Sequence, residues 1–160
     1  MSTVVAAIAA LKTALADIDP SPQPVPAAIY EWELDYATMD YTTFPFIIVA
    51  EVVNRDFVWQ PASHGVGYHL WEAEILTCLT TGPLTRAEAA ASAETKHKPW
   101  LLALAKVLFG NQGLGGAVLN IGAGQNLFTY RVGNQGWDGK IFWGVRCIVP
   151  VRQLHSLPTS

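Results

Sequence analysis

Charge is what this chain has least of. Only 14% of its 160 residues are Asp, Glu, Lys or Arg, against about a quarter in ordinary soluble domains, while 51% are apolar. One copy has too few polar side chains to clothe its whole exterior, so the composition implies that part of the surface is covered by another molecule. Cysteine is equally scarce. Cys78 and Cys147 lie far apart in apolar segments, which leaves no readable disulfide framework and makes buried thiols the default. No apolar run approaches the roughly 18 residues that cross a bilayer. The first basic side chain is Lys12, so the opening residues lack the basic region of a signal peptide. Together these absences suggest a soluble protein made in a reducing cytoplasm.

Chemical motifs are missing too. The stretch FGNQGLGGAVLNIGAGQ at 109–125 holds six of the thirteen glycines, but Val118 and Leu127 stand where GxGxxG needs its last glycine, and no phosphate-loop lysine follows. The glycines therefore read as turn and bulge residues between strands. His64 and His69 form a near pair without a third metal ligand. No GxSxG elbow occurs. Nothing in the chain calls for a cofactor or a metal.

What is present is patterned. Up to Lys98 there are five basic and twelve acidic side chains, and beyond it five basic and one acidic. The basic residues Lys106, Arg131, Lys140, Arg146 and Arg152 are dispersed rather than clustered as a nucleic-acid patch. Opposite charge on the two halves fits a head-to-tail contact between copies, or halves that pack on each other within one fold.

Val4, Ile8, Leu11, Leu15 and Ile18 form one helical stripe, capped by Ser2 or Thr3. A proline-rich spacer at 20–26 is expected to run extended. Residues 29–34 alternate as a strand, placing Glu31 and Glu33 on one face. Residues 44–60 and 68–80 read as two strands of a long hairpin with a projecting tip. Thr85 and Glu88 match a capping box that opens a helix, and Pro99 interrupts that helix or starts another. Strands at 117–121, 127–132 and 141–151 follow, the last two joined by GNQGWDGK. The order predicts an α+β fold: one domain spanning residues 1–160, with a mostly antiparallel or mixed sheet of five to six strands and helices on one face.

Two glutamate pairs, Glu31 with Glu33 and Glu72 with Glu74, read chiefly as solvated strand faces, with acid–base catalysis or a deliberately negative surface as alternatives. Of the six tryptophans, Trp32, Trp71, Trp100 and Trp143 are expected in the core. Trp59 and Trp137, near turns, are expected at interfaces.

An amphipathic first helix, then FPFIIV, then KPW followed by LLALAKVLFGNQGLGGAVLNIG, and finally TYRVG with KIFWGVRCIVPV resembles tail terminator and tail completion proteins of long-tailed bacteriophages across nearly the whole chain. The resemblance implies a structural, non-enzymatic virion subunit assembled in the host cytoplasm. It would form a hexameric homo-oligomer that caps the tail tube, stops its growth and offers a joining surface to head-tail connector proteins. DNA would pass through the ring without specific binding, and no membrane is involved. On that reading Glu31, Glu33, Glu72 and Glu74 face the channel, while Trp59, His64, Tyr68, Trp137 and Lys140 serve tube docking or the subunit interface. The SHGVGYH tip and the proline spacer depart from the pattern and leave the tail type open. Alternatives are a neck or head-completion protein, a small-molecule or peptide-binding α+β module, and an enzyme using Glu72 and Glu74.

Overall fold

A computed structural model describes residues 4–52, 58–63, 66–122 and 126–156. Helix α1 spans Val4–Leu15 and buries Ala7, Ile8, Leu11 and Leu15. That is the stripe the periodicity predicts, and Ile18 extends it past the helix end. The first half of the proline-rich spacer turns instead of running extended. The Asp19 carboxylate accepts hydrogen bonds from the Ser21 amide and hydroxyl, and the Gln23 amide donates to the Pro20 carbonyl at 3.0 Å, so a side-chain-capped turn overrides the polyproline preference.

Strand β1, Ala28–Glu31, is shorter than expected because residues Trp32–Asp35 form a helical turn, α2. The Asp35 carboxylate accepts the Glu31 backbone N–H at 2.8 Å and stabilises the turn locally. The expected run at 44–60 is likewise divided, into β2, Phe46–Glu51, and β3, Val58–Ser63, before β4, Val66–Thr81. The capping box at α3, Arg86–Ser92, is formed: the Glu88 amide donates to the Thr85 hydroxyl, which donates to the Glu88 carboxylate. A π-helical turn, Ala93–His97, joins α3 to α4, Lys98–Gly110, with Pro99 in the first turn of α4, where its missing N–H costs nothing.

The glycine-rich stretch makes a tight 3-10 turn, Leu114–Gly116, with Gly115 and Gly116 at positive φ. Only the short β5, Asn120–Ile121, follows where a longer strand was expected. Strands β6, Thr129–Trp137, and β7, Lys140–Ser156, are longer than the pattern suggests. Their turn contracts to Asp138-Gly139, with φ of 49° and 73°, the left-handed pair that two-residue hairpins favour.

The sheet is mixed. Its main path is β1-β2-β4-β7-β5, with β3 beside β4 and β6 beside β7; β1 pairs parallel to β2, and the other pairings are antiparallel. This is the expected α+β architecture. Helices α1 and α4 cover one face, where Ile47, Val49, Trp71, Ile75, Val145, Cys147 and Val149 meet Leu11, Leu15, Trp100, Leu104 and Leu108 in one apolar cluster. Side chains as enclosed as these contribute about 1.5–3 kcal/mol each through lost water contact. Within this core the Trp71 indole N–H donates to Gln153 Oε1 at 2.7 Å, and the Trp143 indole N–H donates to His97 Nε2.

The opposite face is divided. Phe46, Ile48, Leu76, Cys78 and Phe142 form a second cluster under Tyr30, Trp32, Met39, Tyr41, Phe44 and Trp137. Segment 36–45 is pinned there: Tyr41 stacks on Phe142 with ring centroids 5.9 Å apart, and its hydroxyl donates to Asp138 at 3.0 Å. Asp40 accepts bonds from Thr42 and Thr43, which hold its pKa down at about 2. Beyond Leu76 the same face carries Glu74, Glu72, Ile148 and Pro150, all half-exposed.

Candidate functional site

Paired residues across a sheet share a face, so the ladder registers place each candidate. Glu31 aligns with Val49 and Ile75, on the side of α1 and α4. Glu74 aligns with Ala50 and Ile148, on the opposite side, and Glu72 lies two residues away on the same strand. The expected common strand face for Glu31 and Glu33 is therefore corrected: Glu31 ends β1 and Glu33 projects from α2. Nor do the four glutamates share one wall, because Glu31 and the Glu72–Glu74 pair lie on different sides of the sheet.

Glu74 is held by charge. Arg146 Nε lies 2.9 Å from its Oε1, with the N–H directed off that line, so the contact is an ion pair rather than a hydrogen bond. A guanidinium nitrogen of Arg146 donates to the Gly136 carbonyl at 2.8 Å. Burial raises the Glu74 pKa and Arg146 opposes that rise. Arg131 stands directly opposite Arg146, and an open concavity of ≈ 450 Å³ runs over Glu74, Arg131 and Arg146. Glu74 thus compensates one of two facing arginines.

The docking candidates do not converge. Trp137 and Lys140 flank the β6–β7 turn, whereas Tyr68 pairs with Leu154 near the other end of the sheet, roughly 45 Å away along β7. Trp137 is half-buried against Trp32, edge to face at 5.1 Å. Lys140 lies 4.3 Å over the Tyr41 ring, and Arg152 lies 5.2 Å over Tyr68. His64 and the side chain of Trp59 lie outside the described residues. Trp71, Trp100 and Trp143 are core, as expected; Trp32 is half-buried on the aromatic patch.

Among the described residues no three His, Cys, Asp or Glu side chains are placed to hold a metal. Burial pushes both thiols up to about 12, which leaves them as packing groups. A groove of ≈ 560 Å³ between α1 and α4 has a floor of Ala10, Ala14, Ala103 and Val107 and a rim of Asp17, Asp19 and Lys106. No helix among the described residues is long and apolar enough to cross a membrane.

Strand order converts the charge asymmetry of the sequence into geometry. Glu31, Glu33, Asp35 and Glu51 gather near the β1 edge, and Lys12 approaches Asp35 at 3.8 Å. Arg131 and Tyr130 lie on β6 at the other edge. Large exposed apolar side chains stand at both edges: Val5 and Leu34 beside the acids, Tyr130 beside Arg131. Sequence reading missed Glu51, Tyr130 and Arg131 as a set because neighbourhood across five strands has no linear signature. No protein-family model matches the chain, and comparison with curated proteins finds no significant relative.

Proposed function

We propose that this chain is a structural ring subunit of the tail terminator kind. Identical copies, six in the resembling family, close head to tail, cap a phage tail tube, end its growth and present a joining surface to head-tail connector proteins. The ring is assembled in the host cytoplasm and remains in the virion, with DNA passing through it. The observation that carries the reading is the pair of unlike edges: an acidic, partly apolar edge at β1 and a basic, aromatic edge at β6. Unlike edges on one subunit favour heterologous contacts, which generate rings when the rotation closes. The low charge of the sequence and the exposed Val5, Leu34, Phe109 and Tyr130 fit a subunit whose surface is completed by neighbours.

Mixing the purified protein with uncapped tail tubes and imaging by negative stain tests this. Six-fold caps at one end of each tube and arrested elongation are expected. Tubes that elongate unchanged in excess protein overturn the proposal.

A further inference from the structure

The helix-free face of the sheet carries an unbalanced charge. Arg131 on β6 pairs across the ladder with Arg146 on β7, so both guanidiniums leave the sheet on the same side, away from α1 and α4. Like charges at directly facing positions repel, and here only one of them is offset. Arg146 has Glu74 at 2.9 Å and gives one N–H to the Gly136 carbonyl at 2.8 Å. Arg131 is exposed, and among the described residues its side chain has no hydrogen-bond, ion-pair or ring partner. Glu74 does not serve both. Its strand lies two places from β6, about 10 Å at normal spacing, and its side chain is only 12% exposed.

The concavity of ≈ 450 Å³ over these groups is bordered by Thr129 and floored by Ile148 and Val52. By register, Thr129, Ile148 and Glu74 point to the same side as the two arginines. Two guanidiniums and one carboxylate leave the hollow with a single net positive charge, which a monoanion neutralises. Carboxylates and phosphodiesters both qualify, and two observations favour the carboxylate. The apolar floor suits the methylenes of an acidic side chain. The other basic residues of this half, Lys106, Lys140 and Arg152, sit on α4, at the β6–β7 turn and six residues farther along β7, which leaves no track for successive phosphates.

We infer that this concavity is a carboxylate-binding site for an acidic side chain of a partner polypeptide, whose two oxygens bridge the Arg131 and Arg146 guanidiniums. The Thr129 hydroxyl donates alongside, and the methylenes of the incoming side chain rest on Ile148. Arginine suits the task because its planar fork grips a carboxylate through parallel bonds. The site is complete within one chain and needs neither a ring nor a second copy.

Titrating the full chain with a hexaglutamate peptide at fixed ionic strength, followed by NMR of the backbone amides and arginine Nε–H groups, tests it. The chain has a net charge of −3, so general attraction does not supply the binding. Saturable shifts of the Arg131 and Arg146 Nε–H signals and of the Thr129 amide are expected, with the α1 and α4 signals unmoved. Arg131→Gln should weaken binding at least ~10-fold, and Arg131→Lys, which keeps the charge and loses the fork, by less. Glu74→Gln removes the competing carboxylate and should tighten it. No saturable shift in the wild type, equal affinity in Arg131→Gln, or looser binding by a folded Glu74→Gln chain overturns the site. Tighter binding of a hexathymidylate than of hexaglutamate overturns the carboxylate and makes the hollow a phosphate site.

Discussion

The two faces of the sheet are built from the same strands and solve different problems. The helix-covered face is one continuous apolar cluster in which Leu15, Ile75, Trp100, Leu104 and Val145 are fully buried. The other is half aromatic clasp and half open, ending in a compensated charge pair. The contrast suggests that stability is concentrated on the first face, while the second keeps a surface available.

The largest expected effect comes where the sheet admits no side chain. A Cβ on Gly144 would overlap the Thr77 carbonyl oxygen, so Gly144→Ala should yield no folded protein, judged by solubility and near-UV circular dichroism. Next, Trp100→Ala should destabilise by about 3–5 kcal/mol. Phe142→Ala, in the smaller cluster, should cost clearly less in the same urea titration; equal losses would erase the distinction between faces. Glu74→Gln should cost about 1–2 kcal/mol by leaving Arg146 opposite Arg131 without a counter-charge. Adding Arg131→Gln should recover part of that, and additivity of the two changes would refute the coupling.

The smallest effect is a pH dependence. His97 is 3% exposed, and its pKa is lowered from 6.5 by burial and then by Lys96. The unfolded chain therefore takes up its proton first as pH falls. The stability from neutral His97 is complete above 6.5 and declines as pH drops through the depressed value. Glu74 and Glu51, whose pKa values are raised, act in the opposite sense. The check is thus the difference in urea midpoint between wild type and His97→Gln, which should shrink from pH 7 to pH 5.

Periodic elements were legible in the sequence: the stripe of α1, the long β4, the Thr85 capping box and the helix restarting at Pro99. Features set by single side chains bonding to nearby backbone were not. Asp35 ends β1 early, Asp19 turns the spacer, and Asp138-Gly139 shortens a turn that the glycine count overstated. Such bonds leave no repeat in the sequence. The row that runs from Glu31 through Val49, Ile75 and Cys147 to Tyr130 was hidden for a related reason, since it depends on four registers at once. The charge split that announces it was visible, but not which residues stand at equal height.

Strand β7 follows every other strand in the chain yet lies between β4 and β6, holding both. A ribosome must release residues up to 148 before the whole of β6 has a strand to pair with. The hairpin's second strand is thus the keystone that closes the sheet on both sides at once, and β4 and β6 stay unjoined until it arrives.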